Sequence, residues 1–113
     1  MHELSIAMGI IKIAESETKK ANKRAVEVIE LEIGSMSGVE LESLHYVWKT
    51  AVKNTVLENA ILKIDYKEGR AKCLECETEY KVNKAYDNCP KCKSHFKAIL
   101  QGKELRVKTL EVI

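Results

Sequence analysis

The sequence predicts an α+β fold: two helices on a small three-stranded sheet, with a four-cysteine module inserted before the last strand. Three observations predict it. Apolar residues recur at helical spacing in two stretches. β-Branched residues alternate with charged ones in three others. All four cysteines fall between Cys73 and Cys92, ahead of the last alternating run. A chain of 113 residues suffices for one domain carrying a small module. Five glycines and one proline exclude collagen-like and low-complexity chains.

Residues 4–22 read as an amphipathic helix with Leu4, Ala7, Ile11 and Ala14 on one face and Met8 and Ile10 beside it. Lys19, Lys20, Lys23 and Arg24 crowd its exit, where cations suit the carbonyl end of the helix dipole, and they read as a solvated end. Ala25 to Ile33 alternates as a strand, Ile29, Leu31 and Ile33 opposing Glu30 and Glu32; Val26 and Val28 imply that the glutamate face is partly covered. Gly34 to Gly38 breaks that strand. Ser37 and Glu40 then form a capping box that starts a second helix, running to about residue 54. Its stripe is Leu41, Leu44, Trp48, Ala51 and Val52, with Tyr46, Lys49 and Lys53 outward and His45 partly buried beside it. Leu62, Ile64 and Tyr66 mark a second strand ending at Gly69, and 104–113 a third. The main domain is therefore 1–69 plus 102–113 and the module 70–101, with Gly69 and Gly102 as hinges.

The module carries the strongest chemical signal. Cys73-x-x-Cys76 and Cys89-x-x-Cys92 are separated by twelve residues, a spacing in which two tight turns aim four thiolates at one ion. Four sulfurs close a tetrahedral zinc site and leave no position for water, so the site is structural. Tyr80, Val82, Tyr86, Phe96 and Ile99 supply apolar backing for a zinc-ribbon-like unit, and Lys72, Lys91 and Lys93 offset its charge. Glu77 and Lys93 stand where a knuckle commonly has glycine. Two disulfides are the alternative use of the same cysteines. The start has no basic n-region, and Glu15 and Glu17 interrupt any apolar run, so a signal peptide is not expected and a reducing cytoplasm favours metal. The formal charge of +2 falls to zero once four thiolates hold one Zn²⁺, leaving no global field for nucleic acid or an anionic membrane.

A second candidate lies at the N-terminus. The Met1 amine, the His2 amide and the His2 imidazole can close two fused chelate rings on one ion. Ionised amides suit the square-planar fields of Ni²⁺ and Cu²⁺ and suit Zn²⁺ poorly. The Glu3 amide or another imidazole could fill the fourth corner, and Met1 is expected to be retained before the bulky His2.

Met1-His2-Glu3 opening a helix, the Gly34–Leu44 segment with Val39-Glu40, and the paired C-x-x-C motifs occur together in one family. Over essentially its whole length the chain resembles the HypA/HybF nickel metallochaperones. The resemblance implies a non-enzymatic carrier that binds Ni²⁺ through His2, with Met1 and Glu3 supplying nitrogens, and holds structural zinc at Cys73, Cys76, Cys89 and Cys92. It implies delivery to the large subunit of [NiFe]-hydrogenase with the GTPase HypB, and urease maturation as a further outlet. His95, three residues past the last cysteine, is a candidate additional nickel ligand; Glu40 matches an acidic family position that capping already explains. A homodimer is left open.

The rival reading is a zinc-ribbon interaction module for protein or nucleic acid. It requires a basic, aromatic-studded face, and Glu75, Glu77, Glu79 and Asp87 dilute the lysines here. A hydrolytic zinc enzyme would need an open coordination position or an H-E-x-x-H helix, and the sequence has neither.

Overall fold

The computed structural model describes residues 2–113, in the order α1 (Glu3–Lys20), β1 (Val26–Gly34), α2 (Leu41–Ala51), β2 (Ile61–Lys67), β3 (Arg70–Cys73), β4 (Glu79–Lys81), β5 (Lys97–Gln101) and β6 (Leu105–Val112). They form two three-stranded sheets, ordered β2-β1-β6 and β4-β3-β5. The last strand pairs with β1, as the place of the cysteines in the chain predicts. Two compact units divide the chain: Met1–Leu31, Val39–Asp65 and Arg106–Ile113 in one, Glu32–Gly38 and Tyr66–Leu105 in the other. Among the described residues, no helix is long and apolar enough to cross a membrane.

In the first unit, α1 buries Ala7, Ile10, Ala14 and Thr18. The buried stripe is thus turned from the expected one: Leu4 and Met8 are 54% and 57% exposed, and Ile10 rather than Ile11 lies at its centre. Ala7 and Ala14 are compatible with either isoleucine at a period of 3.6, so spacing alone could not choose. The buried Thr18 hydroxyl donates to the Ala14 carbonyl at 2.7 Å. The helix stops at Lys20, short of residue 22, because Asn22 turns left-handed (φ 58°). Gly9 has no heavy atom within 4 Å of the place a Cβ would occupy. Gly9→Ala is therefore expected to raise stability by about 0.5–1 kcal/mol in urea unfolding, and a loss of stability would contradict that reading.

The helix α2 buries Leu44 and Trp48, with Val52 buried at its C-cap, and exposes Tyr46. Leu41 and Ala51 of the expected stripe are only half-buried, and the helix ends at Ala51, short of residue 54. His45 is exposed, not partly buried: it lies one residue past the stripe on the solvent side. The expected capping box does not form either. The N-cap is Glu40, in extended conformation and without a side-chain cap of its own. A carboxylate from α1 serves instead, the Glu40 N–H donating to Glu3 Oε2 at 3.1 Å. On β1, at the centre of its sheet, Val26, Ile29, Leu31 and Ile33 are all buried. Glu32 is buried as well, at 7% exposure, so the strand reads polar on a face that is largely covered.

The second unit contains a knot of glycines. A Cβ on Gly34 would strike the Gly102 carbonyl, and one on Gly69 would strike the Val82 carbonyl. Gly102, at φ 123°, would bring a Cβ within 2.6 Å of Gly69 Cα. Backbone bonds tie the same place: Met36 N–H to Gly102 O at 2.7 Å, Gly34 N–H to Glu104 O at 2.8 Å, and Ser35 N–H to Lys67 O at 2.8 Å. The Gly69 N–H donates to Ser35 Oγ at 2.9 Å. Gly69 and Gly102 are thus close-packed, not the loose hinges the sequence suggests; their missing side chains make room for neighbouring backbone.

Candidate metal centres

The cysteine centre is built from two turns of the same kind. In the first, Cys73 ends β3, its N–H bonding to Thr78 O at 2.8 Å, and the Glu77 N–H returns to Cys73 O at 3.0 Å. In the second, the Cys89 N–H bonds to Ser94 O and the Lys93 N–H to Cys89 O, both at 2.9 Å. Closing each turn requires a left-handed residue. Glu77 and Lys93 adopt it at φ 63° and 67° without being glycine, each at a cost of about 1 kcal/mol.

All four sulfurs lie within 4.8 Å of one another. Cys73 to Cys92 is 3.5 Å and Cys76 to Cys89 is 3.6 Å. A tetrahedron with Zn–S bonds near 2.3 Å has edges of about 3.8 Å, so this donor set fits zinc. The cysteines are free, which removes the two-disulfide alternative. Cys73 and Cys89 are buried, Cys76 is half-buried and Cys92 is exposed.

The electrostatics favour thiolates unequally. The Thr78 hydroxyl, 3.2 Å from Cys76 Sγ, and the Thr78 N–H together bring the Cys76 thiol down to about 6. The Cys76 N–H, 3.5 Å from Cys73 Sγ, lowers Cys73. Cys92 keeps the Ser94 N–H as a donor, but its cysteine neighbours and burial hold it up at about 12. A bound dication reverses that penalty, since a metal is the one partner that rewards four thiolates held together. Of the expected backing, Tyr80 and Val82 are buried and Ile99 is partly buried. Tyr86 and Phe96 are 74% and 67% exposed; Ala71 and the cysteines take the interior places. Ala71, Thr78 and Ser94 escaped sequence reasoning because a small or hydroxylated residue at those offsets carries no signal of its own.

The N-terminal candidates fall in the first unit. Met1 lies outside the described residues. His2 is the N-cap of α1, extended at φ −83°, ψ 102°, and its carbonyl accepts the Ile6 N–H at 3.2 Å. Its side chain is exposed, at the rim of an open depression of ≈ 520 Å³ that Glu3, Glu42, Ser43 and Tyr46 also line. The Glu40 N–H holds the Glu3 carboxyl below its usual range, and Glu3's own N–H acts in the same direction. His95 belongs to the second unit and is exposed, in a depression shared with Cys76 and Cys92.

Comparison with known proteins gives this arrangement its place. A family model described as hydrogenase/urease nickel incorporation, metallochaperone, hypA, matches residues 1–112. The hydrogenase maturation factor HypA of Parabacteroides distasonis is 42% identical over 112 residues, covering 99% of this chain and 97% of its own. That of Azotobacter vinelandii is 40% identical, covering 99% of each. The solution structure of the Ni metallochaperone HypA from Helicobacter pylori superposes with a TM-score of 0.69 at 30% identity, over 100% of this chain and 98% of that one. With its zinc-type cysteine centre and its full-length match, the chain belongs to the HypA family of nickel metallochaperones that serve hydrogenase maturation.

Proposed function

We propose that this chain takes up one Ni²⁺ at Met1-His2-Glu3 and works as a carrier, not a catalyst. The observation that carries the reading is the place of His2: an exposed imidazole at the N-cap of an 18-residue helix. The first N–H groups of a helix have no intrahelical acceptor, so the amide of Glu3, the first helical residue, can lose its proton without breaking a helical bond. A dication at a helix N-terminus would ordinarily meet the positive end of the dipole. Ionised amides reverse that sign, and the Glu3 and Glu42 carboxylates beside His2 add to the reversal. Such a site selects for metals that displace amide protons, Ni²⁺ among them. It also stays open to a partner that removes the ion.

The proposed recipient is the large subunit of [NiFe]-hydrogenase, with the GTPase HypB as co-worker and urease as a second outlet. The names of the curated relatives support the hydrogenase assignment. The family description supports both enzymes. The reducing cytoplasm is the proposed compartment, since a four-thiolate zinc centre persists there.

Nickel titration of protein carrying Met1 as its free terminus, against protein with two residues added before it, tests the reading. The first is expected to bind one Ni²⁺ with the yellow, diamagnetic signature of a square-planar nitrogen field. The second is expected to bind roughly 100-fold more weakly, about 2.7 kcal/mol. Equal affinity would overturn the N-terminal site.

A further inference from the structure

We propose that Glu42 and His45 form a second nickel site, a capture site for hydrated Ni²⁺ that feeds the N-terminal one; it rests on the nickel reading given above. The two residues lie three apart on α2, so their side chains leave one face of the helix with Cβ atoms about 5–6 Å apart. A Glu-x-x-His pair at that spacing offers a carboxylate oxygen and an imidazole nitrogen to a single ion, as on the helices of di-iron carboxylate bundles. Both side chains are exposed, and neither has a hydrogen bond or ion pair among the described residues. Each is free to turn toward a ligand.

The pair is placed to hand the ion on. Glu42 lines the depression of ≈ 520 Å³ that also holds His2 and Glu3. A neighbouring open depression of ≈ 700 Å³ holds His45 and Lys49, and it shares Leu4, Glu42 and Tyr46 with the first. Glu42 is thus the carboxylate common to both, with His45 on one side and His2 on the other. Charge falls in the same direction: Lys49, about two turns beyond Glu42, repels a dication, while Glu42 and Glu3 attract it. The N-terminal site by itself is slow to fill, because its amide nitrogens keep their protons until a metal is already held there. Hydrated Ni²⁺ binds a carboxylate and an imidazole without any such deprotonation: two waters leave, and the other octahedral positions keep theirs. Held beside the N-terminus, the ion first gains the His2 imidazole. The His2 and Glu3 amide protons then pass to solvent, and Glu42, His45 and the remaining waters are released.

Nickel sulfate titrated into zinc-loaded protein with two residues added before Met1 reads the capture site alone, since the extension removes the amine chelate. Octahedral Ni²⁺ is paramagnetic and the square-planar ion is not, so the captured ion is expected to broaden the amide signals of residues 42–46 in a heteronuclear NMR spectrum. Glu42→Gln and His45→Gln, both on an exposed helix face, are each expected to abolish that broadening at the same nickel concentration. In protein with its native terminus, His45→Gln is expected to slow the rise of the yellow band in stopped flow about tenfold, because the ion then arrives from bulk solution. Absent broadening, broadening that survives both substitutions, or an unchanged rate in His45→Gln would overturn the proposal. If the unaltered protein never develops the yellow band, the N-terminal site falls instead, and the extended protein still reports on the pair.

Discussion

Stripping the metal from the cysteine centre will unfold the second unit while the helices of the first persist. The buried cluster around the cysteines of that unit consists of Ala71, Tyr80 and Val82 besides Cys73 and Cys89 themselves, with Met36 and Ile99 partly buried against it. Three side chains of that size contribute only a few kcal/mol by burial, against an ordering cost of about 1–2 kcal/mol for every backbone residue fixed. The deficit has to be met by the metal, and structural zinc supplies about 10–16 kcal/mol in small zinc peptides at neutral pH. A chelator, or Cys89→Ser, should therefore collapse the amide dispersion of Ala71, Tyr80 and Val82 in a heteronuclear NMR spectrum and leave the helical circular dichroism largely intact. Acid acts in the same direction, because protons compete with the ion for thiolate. A dispersed spectrum after complete metal removal would refute this account.

Gly34→Ala will be strongly destabilising. Its Cβ would run into the carbonyl group of Gly102, which is backbone and already bonded to the Met36 N–H at 2.7 Å. Overpacking usually costs about 1–3 kcal/mol because side chains give way. Backbone pinned by its own hydrogen bonds gives way less, so a loss of at least about 3 kcal/mol is expected in urea unfolding. The same methyl at Gly9, which meets open space, separates a local steric effect from a general penalty on losing glycine. A loss below 1 kcal/mol at Gly34 would show that the backbone there shifts freely.

Gly9 and Gly34 are the same residue type, and only the fold shows that one meets open space and the other backbone. The two helices, the strands β1, β2 and β6, and the return of the last strand to their sheet were legible, since alternation and period are local properties; the three strands of the module were not. So was the cysteine centre, because a C-x-x-C pair constrains its own turn. What depended on distant partners was not legible. Ser37 and Glu40 look like a cap, yet α2 takes its donor's partner from Glu3, thirty-seven residues away. Gly69 and Gly102 look like hinges because glycine is flexible in isolation; only the packed backbone of Gly34, Met36 and Val82 reveals why a side chain is excluded. Phe96 looks like core by composition and is two-thirds exposed, since a unit this small has few interior places and the cysteines occupy some of them. At the N-terminus, His2 and Glu3 were singled out by chemistry, but the company of Glu42 and Tyr46 required the fold.

The burial of the cysteines gives the metal a hidden side and an open one. In each turn the leading sulfur, Cys73 or Cys89, is enclosed, and the trailing one, Cys76 or Cys92, faces out. An attacking ligand therefore reaches the trailing pair first, and these two sulfurs belong to different turns. The enclosed pair, again one from each turn, still bridges them when half the coordination is gone.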